Sequence, residues 1–254
     1  MKKLFHVILI SFLSIPLFVS DGKGSTGITA GIEYWGTNIN RGEYVFNGNG
    51  VFFPFISYNI FDTGLSVTVE GEISDGYISY GSKTCRDDQS TNFCIAYLNK
   101  FGLITLGVES VYVRTWENNY SCFENCISFT FEDIFLSPIL VFGHDYHLSS
   151  DAGTKGKDFY VQFGISHSFD LIEDIIALDL GAIGRYYNVS SWDENLSGIS
   201  DIDLSVGLSL IHGAVEYSTE FHYIIVPSKD FYYGYKENKD KHRFYASFGA
   251  SYSF

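Results

Sequence analysis

Four prolines in 254 residues, and charged side chains held to 18%, leave little of what disordered chains are rich in. With aromatics also at 18%, and 25 glycines, an unstructured chain is excluded and an all-β protein is favoured. Positive charge is the scarcer sign. Sixteen Lys and Arg stand against 30 Asp and Glu, which excludes nucleic acid as a natural partner. After residue 25 no unbroken apolar run is long enough for a transmembrane helix. If the chain is exported, it is either a soluble fold or a barrel that crosses lipid with strands.

Export is what the first residues indicate. Lys2 and Lys3 precede an apolar run from Leu4 to Val19, and small and polar residues follow. That layout is a secretory signal peptide. The run is short for a membrane span and carries Pro16 late. Cleavage is expected between Ser20 and Ser25, giving a leader over 1–22 and one domain over 23–254. No Cys stands at the boundary, which argues against a lipoprotein anchor. Removing residues 1–20 deletes two lysines and leaves 14 basic residues against 30 acidic ones, a net charge near −16.

Alternation with period two recurs along the rest of the chain. Ile202, Leu204, Val206, Leu208 and Leu210 oppose Asp203, Ser205, Gly207 and Ser209. Val215, Tyr217, Thr219, Phe221 and Tyr223 oppose Glu216, Ser218, Glu220 and His222. Twelve strands are expected, roughly over 27–36, 51–59, 64–74, 92–99, 102–116, 126–135, 139–148, 158–169, 175–188, 200–210, 214–226 and 243–254. The second carries Pro54 in "VFFPFISY" and alternates poorly.

The connections alternate between short ones such as "KF" and "IHG" and long polar ones such as "PSKDFYYGYKENKDKH". One rim of tight turns and one of loops is the organisation of an antiparallel up-and-down barrel of about twelve strands, with 10 and 14 as neighbouring possibilities. Three features favour lipid over water outside it. A twelve-stranded barrel is wide to fill with side chains alone. Its polar face is rich in Gly, Ser, Thr and carboxylates. Tyr34 and Tyr112 near the loop rim, with Phe101 and Phe169 near the turn rim, suit two interfacial girdles. Outer-membrane lipids are then the expected surroundings.

The closing "ASYSF", with Tyr252 two places before Phe254, resembles the C-terminal signature of Gram-negative outer-membrane proteins. That resemblance implies recognition of the last strand by the barrel-assembly machinery. The stretches "NINRGEYVFNGNGVFFPFISY", "LSPILVFGHDY" and "FYVQFGISHSFDL" resemble the TorF-like porins. This implies a porin fold and an outer-membrane location more than it implies a solute.

With apolar residues phased outward, Glu33, Glu70, Glu72, Glu109, Asp179, Asp203, Glu216, Glu220 and His222 face inward. Asp145 and Asp201 join them near strand ends, and Arg185 is the basic residue that clearly shares the phase. Carboxylates confined in a passage attract cations and repel anions. The functional expectation is a narrow passive channel for small cations or neutral solutes. A lumen closed by hydrogen-bonded Glu, Tyr, Ser and Arg185 is the opposing one. No motif calls for a cofactor or a metal, and the residues name neither the solute nor the oligomeric state.

Cys85, Cys94, Cys122 and Cys126 form an even set in an exported chain, so disulfides are expected, most simply Cys85–Cys94 and Cys122–Cys126. Zinc at "CFENC" would lack an adjacent His. A hydrolase is the rival class, through Asp145 and His147 in "GHDYH" or Ser166, His167 and Ser168 in "ISHSF". Strand phase puts His144 on the face opposite Asp145 and His147, and His167 opposite the two serines, so no Ser–His nucleophile is set up. A third class is an adhesin or receptor working through loops such as the Tyr- and Lys-rich last one.

Overall fold

Alternating apolar and polar residues give the chain strands with one face for each environment, and an antiparallel sheet of twelve such strands closes on itself. The computed structural model describes residues 27–36, 38–40, 43–45, 50–74, 77–80, 83–86, 89–115, 121–149, 157–189, 196–227 and 241–254. The expected leader and its cleavage site lie outside them. The barrel strands are β1 (Ile28–Trp35), β2 (Val51–Ile60), β3 (Leu65–Ser74), β4 (Gln89–Phe101), β5 (Ile104–Thr115) and β6 (Ser121–Thr130). Then come β7 (Ile139–Ser149), β8 (Lys157–Ile172), β9 (Ile176–Val189), β10 (Leu196–His212), β11 (Val215–Ile225) and β12 (His242–Ser253). Two small ladders, Asn38–Asn40 with Glu43–Val45 and Tyr77–Tyr80 with Lys83–Arg86, sit in the connections after β1 and β3.

Each strand pairs antiparallel with its sequence neighbours, and β1 pairs with both β2 and β12. The amide of Phe254 donates to the Ile28 carbonyl at 2.9 Å, completing the seam. Closure leaves no strand edge in the barrel, which hydrocarbon surroundings would demand. No helix among the described residues is long and apolar enough to cross a membrane.

The second strand forms despite Pro54. Proline has no N–H to give, and the β2–β3 ladder passes from Phe52–Ile73 straight to Phe55–Glu70, with Gly71 beside the proline ring. The first turn after it, Phe61–Thr63, ends on Gly64 at φ 76°, where a Cβ would stand 2.0 Å from the Leu98 carbonyl oxygen.

The sixth strand differs from expectation. "SFTFEDIF" alternates, yet the strand occupies 121–130 and the chain turns over 131–138. Glu132 is held at the rim by Thr105 at 2.6 Å and by Lys100 at 3.3 Å, while Lys100 also reaches Asp133 at 3.1 Å. Leu136 and Ser137 take positive φ, which no strand tolerates. The turn after β6 is consequently longer than the loop-side link 116–120, so the strict alternation of short and long connections fails there.

Outward side chains are apolar over most of the wall. Tyr34 meets Phe52 at 4.7 Å and Tyr112 meets Phe123 at 5.1 Å toward the loop rim. At the turn rim His167 lies between Phe135 and Phe169, at 4.8 and 4.4 Å. Phe254 packs edge-on against Tyr252 at 4.7 Å.

Candidate functional site in the barrel interior

Strand pleating decides what enters the lumen, because every second residue must point there. Glu33, Glu70, Glu72, Glu109, Asp145, Asp179, Arg185, Asp203, Glu216, Glu220 and His222 all lie on interior positions of their strands, as does Asp201. Sequence reasoning missed Glu124, Asp158 and Arg243, which share that face and are buried. Glu124 lies before the expected start of the sixth strand at 126, while Asp158 is the first residue of the expected eighth strand, where the phase has no preceding residue to declare it. Arg243 could have been found: it stands two places before Tyr245 on the same face of the last strand.

These groups form linked networks around the wall. Asn92 donates to Glu70 at 3.2 Å and to Glu72 at 3.3 Å, and Ser90 donates to Glu72 at 2.8 Å. Glu109 lies between two thiols, Cys94 at 3.2 Å and Cys126 at 4.0 Å. Glu124, Asp145 and Asp158 stand directly opposite one another on β6, β7 and β8. Like charges so placed repel. Phenols and an imidazole answer them: Tyr160 donates to Glu124 at 2.7 Å, Tyr187 reaches Asp145 at 3.1 Å, and His147 Nε2 lies 2.9 Å from Asp158.

Farther round, Arg185 binds Asp201 through Nη1, and its Nη2 lies 3.5 Å from Asp203. Ser200 donates to Asp201 at 2.9 Å, made possible by a bulge that turns two successive residues inward. His222 faces a carboxylate with each nitrogen, Asp203 at 3.1 Å and Glu220 at 3.2 Å, a geometry that an imidazolium satisfies with two donors. Its ring stacks on Tyr245 at 4.3 Å with only 2° between planes.

The interior is not all polar. Val51, Phe53 and Phe55 of β2 point inward, and Trp35 packs on Phe53 at 5.0 Å and on Tyr245 at 5.6 Å. Ile139, Val141 and Ile224 add to this layer. Together with Tyr160, Gln162 and Tyr187 they make a belt that water barely reaches: Tyr160 is 1% exposed and Gln162 2%. Space for Tyr160 comes from Gly143 directly opposite, where a Cβ would stand 1.8 Å from the ring. Toward the turn rim along β8 to β11, Ser166, Ser168, Asp179, Ser205, Ser209, Glu216 and Ser218 are only half-buried. The lumen therefore grades from a packed belt to a hydroxyl- and carboxylate-lined recess.

The expected disulfides are not formed among the described cysteines. Cys122 and Cys126 share one face of β6, and four residues of strand put their Cα atoms about 13 Å apart, beyond any S–S bond or shared zinc ion. Cys94 and Cys126 are buried free thiols, and the Cys85 side chain lies outside the described residues. The reason is that Cys94, Cys122 and Cys126 sit in barrel strands, not loops. Iodoacetamide is expected to modify Cys94 and Cys126 only after unfolding, by peptide mapping. Modification of either in the folded barrel would contradict the packing.

Of the hydrolase candidates, Asp145 and His147 do share the interior, but the His147 ring engages Asp158. His144 faces outward, as does His167, with Ser166 and Ser168 on the opposite side.

No protein-family model matches the chain, and no curated protein matches it significantly. Solved structures do. An outer membrane channel from Pseudomonas putida F1 is 11% identical with a TM-score of 0.54, over 90% of this chain and 96% of that one. The KdgM porin is 11% identical at 0.51, over 89% and 99%. LpxR from Salmonella typhimurium is 8% identical at 0.51, over 89% and 100%. At such identities the likeness is one of fold: a closed twelve-stranded barrel of the kind built by outer-membrane porins and channels.

Proposed function

We propose that the protein is a porin-like passive channel of a Gram-negative outer membrane, narrow and preferring small cations or neutral solutes. One observation carries this reading. Interior carboxylates on nine of the twelve strands, from Glu33 to Glu220, face Arg185 and Arg243 as the buried permanent cations among the described residues. In a confined passage that imbalance concentrates cations and excludes anions. The fold shared with porins and channels supports the same reading, and the TorF-like resemblance belongs with it. Tyr252 and Phe254 would present the last strand to the barrel-assembly machinery.

Planar-bilayer recording tests the proposal. Under a tenfold KCl gradient the reversal potential is expected to move toward that of potassium. Anion selectivity, or no conductance at all, would overturn it.

A second reading has its own observation. Trp35, Phe53, Tyr160, Tyr187 and Tyr245 are buried together in one cluster inside the barrel, an arrangement that favours a closed lumen. A barrel so closed would work through its loops, as an adhesin or receptor. Tyr160→Ala with Tyr187→Ala separates the two: severalfold higher conductance means that the belt is a constriction in a conducting path.

A further inference from the structure

The outer face carries one row of side chains that lipid does not suit. Ser110, Asn125 and His144 stand directly opposite one another on β5, β6 and β7, all pointing outward. The layer on their turn side is Val108, Ile127 and Phe142, and the layer on their loop side is Tyr112, Phe123 and Tyr146, each again in register. The row thus lies inside the apolar band, below the aromatic girdle. Thr219 on β11 also points outward within the band, but it is a lone hydroxyl between Tyr217 and Phe221, opposite Leu208 and Phe248. Asn99 sits at the turn rim and donates to Tyr97 at 2.8 Å, and His167 is flanked by two Phe rings there.

Ser110 donates to Asn125 Oδ1 at 2.8 Å. Among the described residues, the Asn125 amide nitrogen and both His144 ring nitrogens have no hydrogen-bond partner, and Asn125 is exposed. Hydrocarbon supplies neither donors nor acceptors, so polar groups left facing it are costly and mark a contact.

We propose that this row is the centre of a two-fold contact with a second copy of the chain, formed within the membrane plane. It rests on the outer-membrane reading above. Copies inserted in the same direction can be related by an axis along the membrane normal. An axis passing Asn125 brings that amide onto its symmetry mate. A primary amide is its own complement, donating through Nδ2 and accepting through Oδ1. The same rotation carries Ser110 toward the side of the partner's His144, with strand tilt setting the two at different heights. A two-fold contact needs a patch that complements itself, and this row holds donors and acceptors of both kinds. Val108, Ile127 and Phe142 supply the apolar packing beneath it, and polar pairs of this sort strengthen association inside a bilayer.

The test uses the full chain in native outer membranes. Asn125→Cys, oxidised with copper phenanthroline, is expected to give a band at twice the monomer mass. Thr219→Cys, outward on β11, is not. A product of any other mass overturns the assignment of the second copy. Absence of cross-linking in a barrel that keeps its heat-modifiable gel mobility overturns the contact but spares the membrane reading. A wild-type chain that neither fractionates with outer membranes nor shows that mobility overturns the membrane reading itself. In mild detergent, Asn125→Leu is expected to weaken dimerisation about tenfold by light scattering with heat-modifiability intact. Equal dimerisation of the two forms would also overturn the proposal.

Discussion

Arg185→Ala is expected to cost the barrel about 3–5 kcal/mol, a large share of any protein's stability. The guanidinium is 4% exposed and the two carboxylates it serves, Asp201 and Asp203, are 0% and 2% exposed. Removing it leaves two negative groups side by side on one face of β10 without their counter-charge. Asp203 retains His222 at 3.1 Å, and Asp201 retains only Ser200 at 2.9 Å. Asp201 is therefore the group that drives the loss. The measurement is the urea midpoint of unfolding in detergent, followed by heat-modifiable mobility. Adding Asp201→Asn should recover part of the loss, because the uncompensated charge is then gone. A drop below about 1 kcal/mol for Arg185→Ala alone would mean that water or another group already screens the site.

Gly143→Ala is the second large effect, from a single methyl group. The added Cβ would sit 1.8 Å from the Tyr160 ring, far inside contact distance, so the ring must leave. It leaves behind the 2.7 Å bond to Glu124, a buried carboxylate standing opposite Asp145. Overpacking costs about 1–3 kcal/mol, and the lost hydrogen bond to a buried charge adds a comparable amount. A total of about 2–5 kcal/mol is expected, again as a shift in the unfolding midpoint. In a Tyr160→Ala background the same Gly143→Ala change should cost less than about 1 kcal/mol. Equal costs in both backgrounds would show that backbone conformation, and not the ring, requires the glycine.

How much of this was legible depends on what each residue had to do. Strands whose outer face is aliphatic and inner face polar, such as β10 and β11, declare their phase outright. Glu216, Glu220 and His222 could be placed from it. β2 hides its phase because Phe53 and Phe55 fill the lumen beside Trp35 while Phe52 and Ile56 face outward. A strand apolar on both sides carries no alternation to read. The sixth strand failed for the opposite reason. Its apparent alternation ran on into 131–135, a turn fixed by Lys100 and Thr105 from other strands, which local pattern cannot reveal. The cysteines misled because an even count in an exported chain fits disulfides until the strand register separates them. Of the site, most charged residues were visible one by one, Glu124, Asp158 and Arg243 excepted, but the phenols that answer them were not. Tyr160 and Tyr187 look like any other strand tyrosines until β6 to β9 are brought side by side.

The graded interior has an electrical consequence. A potential applied across a water-filled tube falls evenly along its length, but here the half-buried recess beside β8 to β11 would hold water and the packed belt would not. Nearly all of the voltage would drop over the thickness of the belt. Arg185, His222 and the carboxylates bound to them sit within that drop, and each charge moved across it gains about 2.3 kcal/mol per 100 mV. The same residues that hold the wall together are the ones on which an applied field would pull hardest.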